Sequence, residues 1–241
     1  APTSYQTNVD LQHQLQSGLL VEIGYIGNQG RHLTGPDITL NQVPADRLNS
    51  GNTQLVRPFP QFSNVTWINP SIGRSSYHGV FLRTQKRFSD SFSVLGHYTW
   101  SRYLDNIGAS AAIDDYGSGV GSYQDAYNRQ ADWSRSGDDV PHRLVITVLY
   151  EVPSFTNVLN GALSRWRIGV LQTAQSGPVF TVTSTSNLTN AFPAGAVRPN
   201  LIGDPALPAD QRTLTHWFNT AAFVNPAALT FGNSPRAVLR G

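Results

Sequence analysis

Cysteine and methionine are both absent from the 241 residues. No disulfide framework and no thiolate metal site can form, a composition that suits an exported bacterial protein. Charge is sparse: Asp, Glu, Lys and Arg together make 13% of the chain, against about a quarter in ordinary globular proteins. The net charge is only +2 and the basic residues are scattered, so the footprint of nucleic-acid binding is missing. Long hydrophobic runs are missing too. The longest, Leu144 to Tyr150, is broken by Thr147 and falls far short of the roughly 18 residues of a membrane helix. A helical membrane protein is excluded. A barrel is not, because only alternate strand residues need face lipid. Ala1-Pro2-Thr3-Ser4 has no signal-peptide character, and Ala237 to Gly241 brings no closing strand. The expectation is an internal piece of a longer protein.

What is present is a pattern of connections. Three-residue links at Gln16 to Gly18 and Ser89 to Ser91 join pairs of strand-like runs, whereas residues 28–76 and 102–141 make far longer links. Short turns on one side and long loops on the other characterise outer-membrane barrels, and soluble domains rarely carry structureless connections of that length. Gly (21) and Pro (15) are plentiful, favouring strands and loops over helices.

The runs themselves alternate with a period of two. Residues 5–15 place Tyr5, Val9, Leu11 and Leu15 on one face and Gln6, Asn8, Asp10, Gln12 and Gln14 on the other. Residues 19–27 return with Leu19, Val21, Ile23 and Tyr25. A second hairpin pairs 77–88 (Val80, Leu82, Phe88) with 92–101 (Phe92, Val94, Tyr98, Trp100). Arg83, Gln85 and Arg87 lie opposite, and Lys86 on the apolar face has a stem long enough to carry its amine to the headgroups. A third begins at 142–152 with Leu144, Ile146, Val148 and Tyr150, and continues after a linker at 153–163 into 166–183, one long strand or two meeting at Ser176-Gly177-Pro178. Residues 184–241 read as mostly loop. Runs of this kind match the roughly 9 to 11 residues of a membrane-spanning strand, and Tyr77, Tyr98, Trp100, Tyr150 and Trp166 suit interfacial aromatic girdles. The predicted fold class is all-β: an antiparallel transmembrane β-barrel section of consecutive hairpins, with short periplasmic turns and long extracellular loops. A soluble β-sandwich also alternates, but its strands average about 5 to 6 residues.

Chemistry is hard to find. The loop from Tyr103 to Pro141 gathers Asp105, Asp114, Asp115, Asp125, Asp132, Asp138 and Asp139 with Asn106 and Asn128. Oxygen-rich clusters suit calcium, yet the spacing follows no calcium motif, and a solvated loop using Asp and Asn in turns accounts for it. Gly117-Ser118-Gly119-Val120-Gly121 lacks the Lys-Ser/Thr ending and the helix that a phosphate loop needs. His13, His32, His78, His97, His142 and His216 show no metal spacing. His142 near Asp138 and Asp139 is a weak hint of a hydrolase triad, with no Gly-x-Ser-x-Gly elbow to support it. His97 alternates with the lipid-facing set and so points into the lumen. No catalytic, cofactor-binding or metal-ligating residue is assigned, and the chain is not read as an enzyme.

Several stretches resemble one family. Tyr77-His78-Gly79-Val80-Phe81-Leu82, Lys86-Arg87-Phe88-Ser89 and Tyr98-Thr99-Trp100-Ser101 are similar to a barrel hairpin of TonB-dependent transporters of the Oar-like group. Further likenesses are Pro141-His142-Arg143, Gln175-Ser176-Gly177-Pro178, Arg198-Pro199-Asn200-Leu201, Gly203-Asp204-Pro205, Trp217-Phe218-Asn219-Thr220-Ala221-Ala222-Phe223, Phe231-Gly232-Asn233-Ser234 and Arg240-Gly241. The resemblance implies a barrel of about 22 strands in the bacterial outer membrane, closed by an N-terminal plug. Its implied partners are outer-membrane lipid, the plug, TonB through the plug, and an unknown extracellular ligand. This chain shows no plug, TonB-contacting segment or final aromatic-ended strand, so the expected function is that of a transporter part. Two other readings stand beside it: a surface adhesion or matrix protein anchored by the same barrel, and a soluble carbohydrate-binding sandwich using Trp67, Trp133 or Trp217.

Overall fold

The computed structural model describes residues 1–15, 18–89, 91–107, 123–152, 166–191 and 197–241, with residues 87–89 as backbone alone. The strands in chain order are β1 (Thr3–Gln14), β2 (Leu19–Thr34), β3 (Ile38–Thr39), β4 (Thr66–Trp67), β5 (Ser71–Ser89) and β6 (Phe92–Asp105). They continue with β7 (Ser134–Arg135), β8 (His142–Glu151), β9 (Arg167–Gln175), β10 (Val179–Phe180), β11 (Asn200–Leu201), β12 (Phe223–Val224) and β13 (Leu239–Arg240). Short 3-10 turns accompany them, and among the described residues there is no α-helix.

The six long strands form one sheet in the order β1-β2-β5-β6-β8-β9, with β7 beside the end of β6. All these pairings are antiparallel. Because directly opposed residues share a face, the register sorts the side chains. Leu11, Ile23, Leu82, Tyr98, Leu144 and Ala174 form one row, and Val9, Tyr25, Val80 and Trp100 form the next. The same side carries Val94, Val148 and Val170, then Phe92, Tyr150 and Ile168. Gln172, opposite Ile146, is a polar exception. The alternate side carries Asp10, Gln12, Glu22, Arg83, His97, Arg143 and Gln175. The apolar side is left uncovered: Val9, Leu11, Ile23 and Leu82 are all exposed.

Three strands outrun the sequence expectation. β2 continues to Thr34 rather than ending at residue 27, β5 begins at Ser71 rather than 77, and β6 ends at Asp105 rather than 101. Gly27, Asn28 and Gly30 look like turn residues but lie in an interior strand with ladder partners on both flanks. Asn28 sits between Gln6 and Tyr77, and Gly30 between Ser4 and Ser75. Two-sided hydrogen bonding outweighs weak local propensity. The long connections accordingly shorten to residues 35–70 and 106–141. The run expected at 166–183 divides instead. Pro178 has no N–H to give a ladder, so β9 stops at Gln175 and β10 pairs with β13. Gln16, Ser17 and Asp90 of the two turns, the linker at 153–163 and Gly117 to Gly121 lie outside the described residues, as do the side chains of Arg87 and Phe88.

Beyond the sheet, residues 35–70, 123–141, 176–191 and 197–241 pack together on the long-loop side. A small apolar cluster of Ile38, Tyr123 and Ala126, with Ile72 against it, lies within this body. Asn41, completely buried, donates to the Phe59, Phe62 and Ser63 carbonyls and accepts from the Phe59 N–H. A buried amide satisfied in this way ties down a loop that has no ladder of its own.

Candidate functional site

Two surfaces carry functional chemistry: the polar side of the sheet and the packed loop body above it. On the polar side, Arg83 of β5 donates to Glu22 of β2 at 3.3 Å, and Arg167 of β9 to Glu151 of β8 at 3.1 Å. Both pairs bridge neighbouring strands. The Phe81 and His97 rings stack at 5.6 Å and 16°. Gly24 makes room for this stack: a Cβ there would fall 2.4 Å from the Phe81 ring. A cavity of about 440 Å³ opens here, lined by Glu22, Tyr77, Phe81, Arg83, His97 and Thr99 among others. His97 thus lies on the polar side, packed on its neighbour strand.

The loop body is held by three arginines of the last 45 residues, each on an aspartate of the Asp-rich connection. Arg198 Nη1 donates to Asp132 Oδ1 at 2.6 Å, with both side chains about 2–3% exposed. Arg236 Nη2 reaches Asp105 Oδ1 at 2.7 Å, while its Nε donates to the Asp132 carbonyl at 3.1 Å. Arg240 Nη2 meets Asp139 Oδ2 at 2.5 Å, and Asp139 Oδ1 accepts the Tyr103 N–H at 2.7 Å. Gln124 links the same pieces, donating to the Gly232 carbonyl at 2.9 Å and accepting from the Arg198 N–H at 2.7 Å. Gln42 does likewise, donating to the Gln124 carbonyl and accepting from the Ala126 N–H.

This corrects the picture of a solvated acidic loop. Asp105, Asp132 and Asp139 are buried structural anchors, and Asp125 accepts from the Tyr127 N–H. Among the described residues no three carboxylates or histidines converge as metal ligands. Asp114 and Asp115 lie outside the described residues. The arginine partners were not found in the sequence because they stand 66 to 131 positions away. The motifs Arg198-Pro199-Asn200-Leu201, Phe231-Gly232-Asn233-Ser234 and Arg240-Gly241 were the available signal, since all three supply these contacts.

Burial leaves electrostatic traces here. The Tyr123 hydroxyl, buried and without a hydrogen-bond partner, is pushed up to about 12 by desolvation and then by the Asp132 charge. Tyr127 is raised by desolvation and Asp125. Desolvation lowers Arg240, and Asp139 opposes that shift.

A cleft of about 580 Å³ opens in the body, lined by Arg102, Trp133, Arg135, Arg212, Trp217 and Phe218 among others. The Arg212 guanidinium lies 5.9 Å from the Trp217 ring centre. Trp133 and Trp217 therefore meet at one cleft, and Trp67, on β4, does not line it.

The apolar face also holds a repeated pair that sequence reading missed. Tyr25 Oη and His78 Nδ1 lie 2.6 Å apart, and Tyr98 Oη and His142 Nδ1 lie 2.7 Å apart. Each pair stacks across adjacent strands at the long-loop end of the apolar band. His142 thus pairs with Tyr98 through Nδ1 on the apolar face.

An antiparallel sheet with one exposed apolar face, one polar face and long loops at a single end defines a section of transmembrane β-barrel wall. A family model described as an outer membrane beta barrel domain matches residues 1–241, and the chain belongs to that family. Its place is the bacterial outer membrane. No curated protein and no solved structure matched the chain.

The sheet has two open edges among the described residues, since β1 pairs only with β2 and β9 only with β8. Lipid cannot satisfy unpaired backbone groups, so strands beyond these six must complete the wall.

Proposed function

We propose that this sheet forms part of the wall of an Oar-like TonB-dependent transporter that takes a ligand across the outer membrane. The observation that carries the reading is the cleft of about 580 Å³ in the loop body, held by buried ion pairs at the extracellular end of a wall whose inner face is polar. A rigid aromatic and basic cleft suits capture, and ion-paired side chains such as Glu22 and Arg83 suit contact with a plug. The sequence motifs of that group, spread over nearly the whole chain, support it further. The partners are outer-membrane lipid, the plug domain, TonB acting through the plug, and an extracellular ligand. The role is transport, not catalysis.

Exposed Leu55, Phe62 and Leu214 on the loops favour the second reading, adhesion to a matrix or another cell. Radiolabelled siderophores, oligosaccharides and peptides offered to cells with and without the gene separate the two. Gene-dependent accumulation of one of them, abolished by an uncoupler of the proton-motive force, is expected. Unchanged uptake of all of them together with lost cell cohesion would select adhesion.

A further inference from the structure

Three guanidinium groups converge just above the lipid-facing band, on the same side of the sheet. Arg102 of β6 stands opposite His78 on the apolar face, two residues beyond Trp100, or about 7 Å along the strand. Arg135 of β7 stands opposite Leu104, two residues farther on and facing the same way. Arg240 completes the group. With Tyr25, Val80 and Trp100 the three line a cavity of about 600 Å³. Arg102 and Arg135 are exposed, and among the described residues neither has an ion-pair partner. Asp139, the carboxylate in the lining, is already engaged by Arg240 and the Tyr103 N–H. In a chain with so little charge, such a cluster is no accident of a charged surface.

We infer that Arg102 and Arg135, beside the guanidinium of Arg240 that is held on Asp139 and the Gly177 carbonyl, bind the phosphate of an anionic lipid headgroup in the outer leaflet, with its acyl chains lying along Tyr25, Val80 and Trp100. Guanidinium forks match phosphate oxygens and form short charge-assisted hydrogen bonds. The order from apolar band to aromatic rim to arginine follows the order from hydrocarbon to headgroup in the bilayer. A soluble anion would use the arginines and leave the apolar half of the cavity unfilled; a lipid fills both. The inference rests on the barrel and its apolar face; Arg102, Arg135 and Arg240 also border the cleft of the loop body, whose capture role then falls to Arg212, Trp133 and Trp217.

The test uses the intact gene product, delipidated in a neutral detergent, with bisphosphorylated lipid A as probe and native mass spectrometry as readout. Wild type is expected to retain lipid A and not the same glycolipid stripped of phosphate. The R102Q/R135Q double variant is expected to weaken retention about thirtyfold, at roughly 1 kcal/mol per basic residue near a membrane surface. Heat-modifiable gel mobility, which reads barrel integrity, should be unchanged. If the double variant loses that mobility, R135Q alone, altering an exposed residue of a two-residue strand, should still weaken retention about fivefold. Equal retention by wild type and variants overturns the inference, as does equal binding of the dephosphorylated lipid. Displacement of lipid A by millimolar inorganic phosphate would assign the site to a soluble anion and overturn the lipid assignment.

Discussion

Replacing Arg198 with methionine removes the guanidinium that ties the last third of the chain to the Asp-rich connection. Three hydrogen bonds go with it: to Asp132 Oδ1 at 2.6 Å, to the Ser234 carbonyl at 2.7 Å and to the Ala131 carbonyl at 3.4 Å. Methionine roughly keeps the volume, so the loss is electrostatic more than steric. Asp132 is 1% exposed and its Oδ2 already has no hydrogen-bond partner, so the variant leaves a buried carboxylate without its counter-charge. Breaking a buried pair from one side costs about 3–5 kcal/mol. At about 1.4 kcal/mol per decade, the local opening equilibrium of the loop body should rise by roughly two to four orders of magnitude. Hydrogen exchange on the intact protein reads this directly. Protection should fall across residues 123–139 and 197–240 and hold in β2, β5 and β6, whose ladders do not depend on the pair. Adding Asp132→Leu should restore much of the protection, because removing both charges abolishes the uncompensated burial. Unchanged exchange in R198M, or a double variant as open as the single one, would refute the assignment of the pair as the clamp.

Two further outcomes follow from the two-faced sheet and the buried tyrosine. Leu82→Arg, between Ile23 and Tyr98 on the apolar face, should cost about 2–4 kcal/mol in urea unfolding from vesicles, whereas Thr147→Arg on the polar face should change it by about 0.5 kcal/mol; equal costs would mean that the faces are assigned wrongly. Tyr123, raised to about 12 in the fold against about 10 in the unfolded chain, stabilises the loop body fully below pH 10, and that contribution is lost as pH rises through about 12. Tyr103 and Tyr127 are also raised by burial, so a tyrosinate absorbance titration at alkaline pH should show a late component that shrinks by one tyrosine at its latest end in Tyr123→Phe, and an unchanged late end there would reassign it.

The period-two alternation made the sheet legible in the sequence because it arises from adjacent residues alone. Tyr5 to Leu15, Val80 to Leu82 and Leu144 to Tyr150 each display it without reference to the rest of the chain. Chain-local patterns also located the short turns and the long connections. The strand ends were harder to read: Gly27, Asn28 and Gly30 carry turn chemistry, and only β1 and β5 on either side keep them extended. The diagonal pairs Tyr25–His78 and Tyr98–His142 likewise require a register that joins strands 53 and 44 residues apart.

The loop body shows the division most sharply. Composition identified a carboxylate-rich connection, read as solvated, and a tail read as mostly loop. The fold brings Asp105, Asp132 and Asp139 against Arg236, Arg198 and Arg240, converting dispersed charges into buried clamps. The same closure gathers Arg102, Arg135 and Arg240 above the lipid-facing band. Local alternation therefore determined the all-β class and the membrane-facing side, because each strand encodes its own two faces. Which charges are paired, and which remain free for a ligand, depends on contacts between distant segments, and these were decided only when the chain closed on itself.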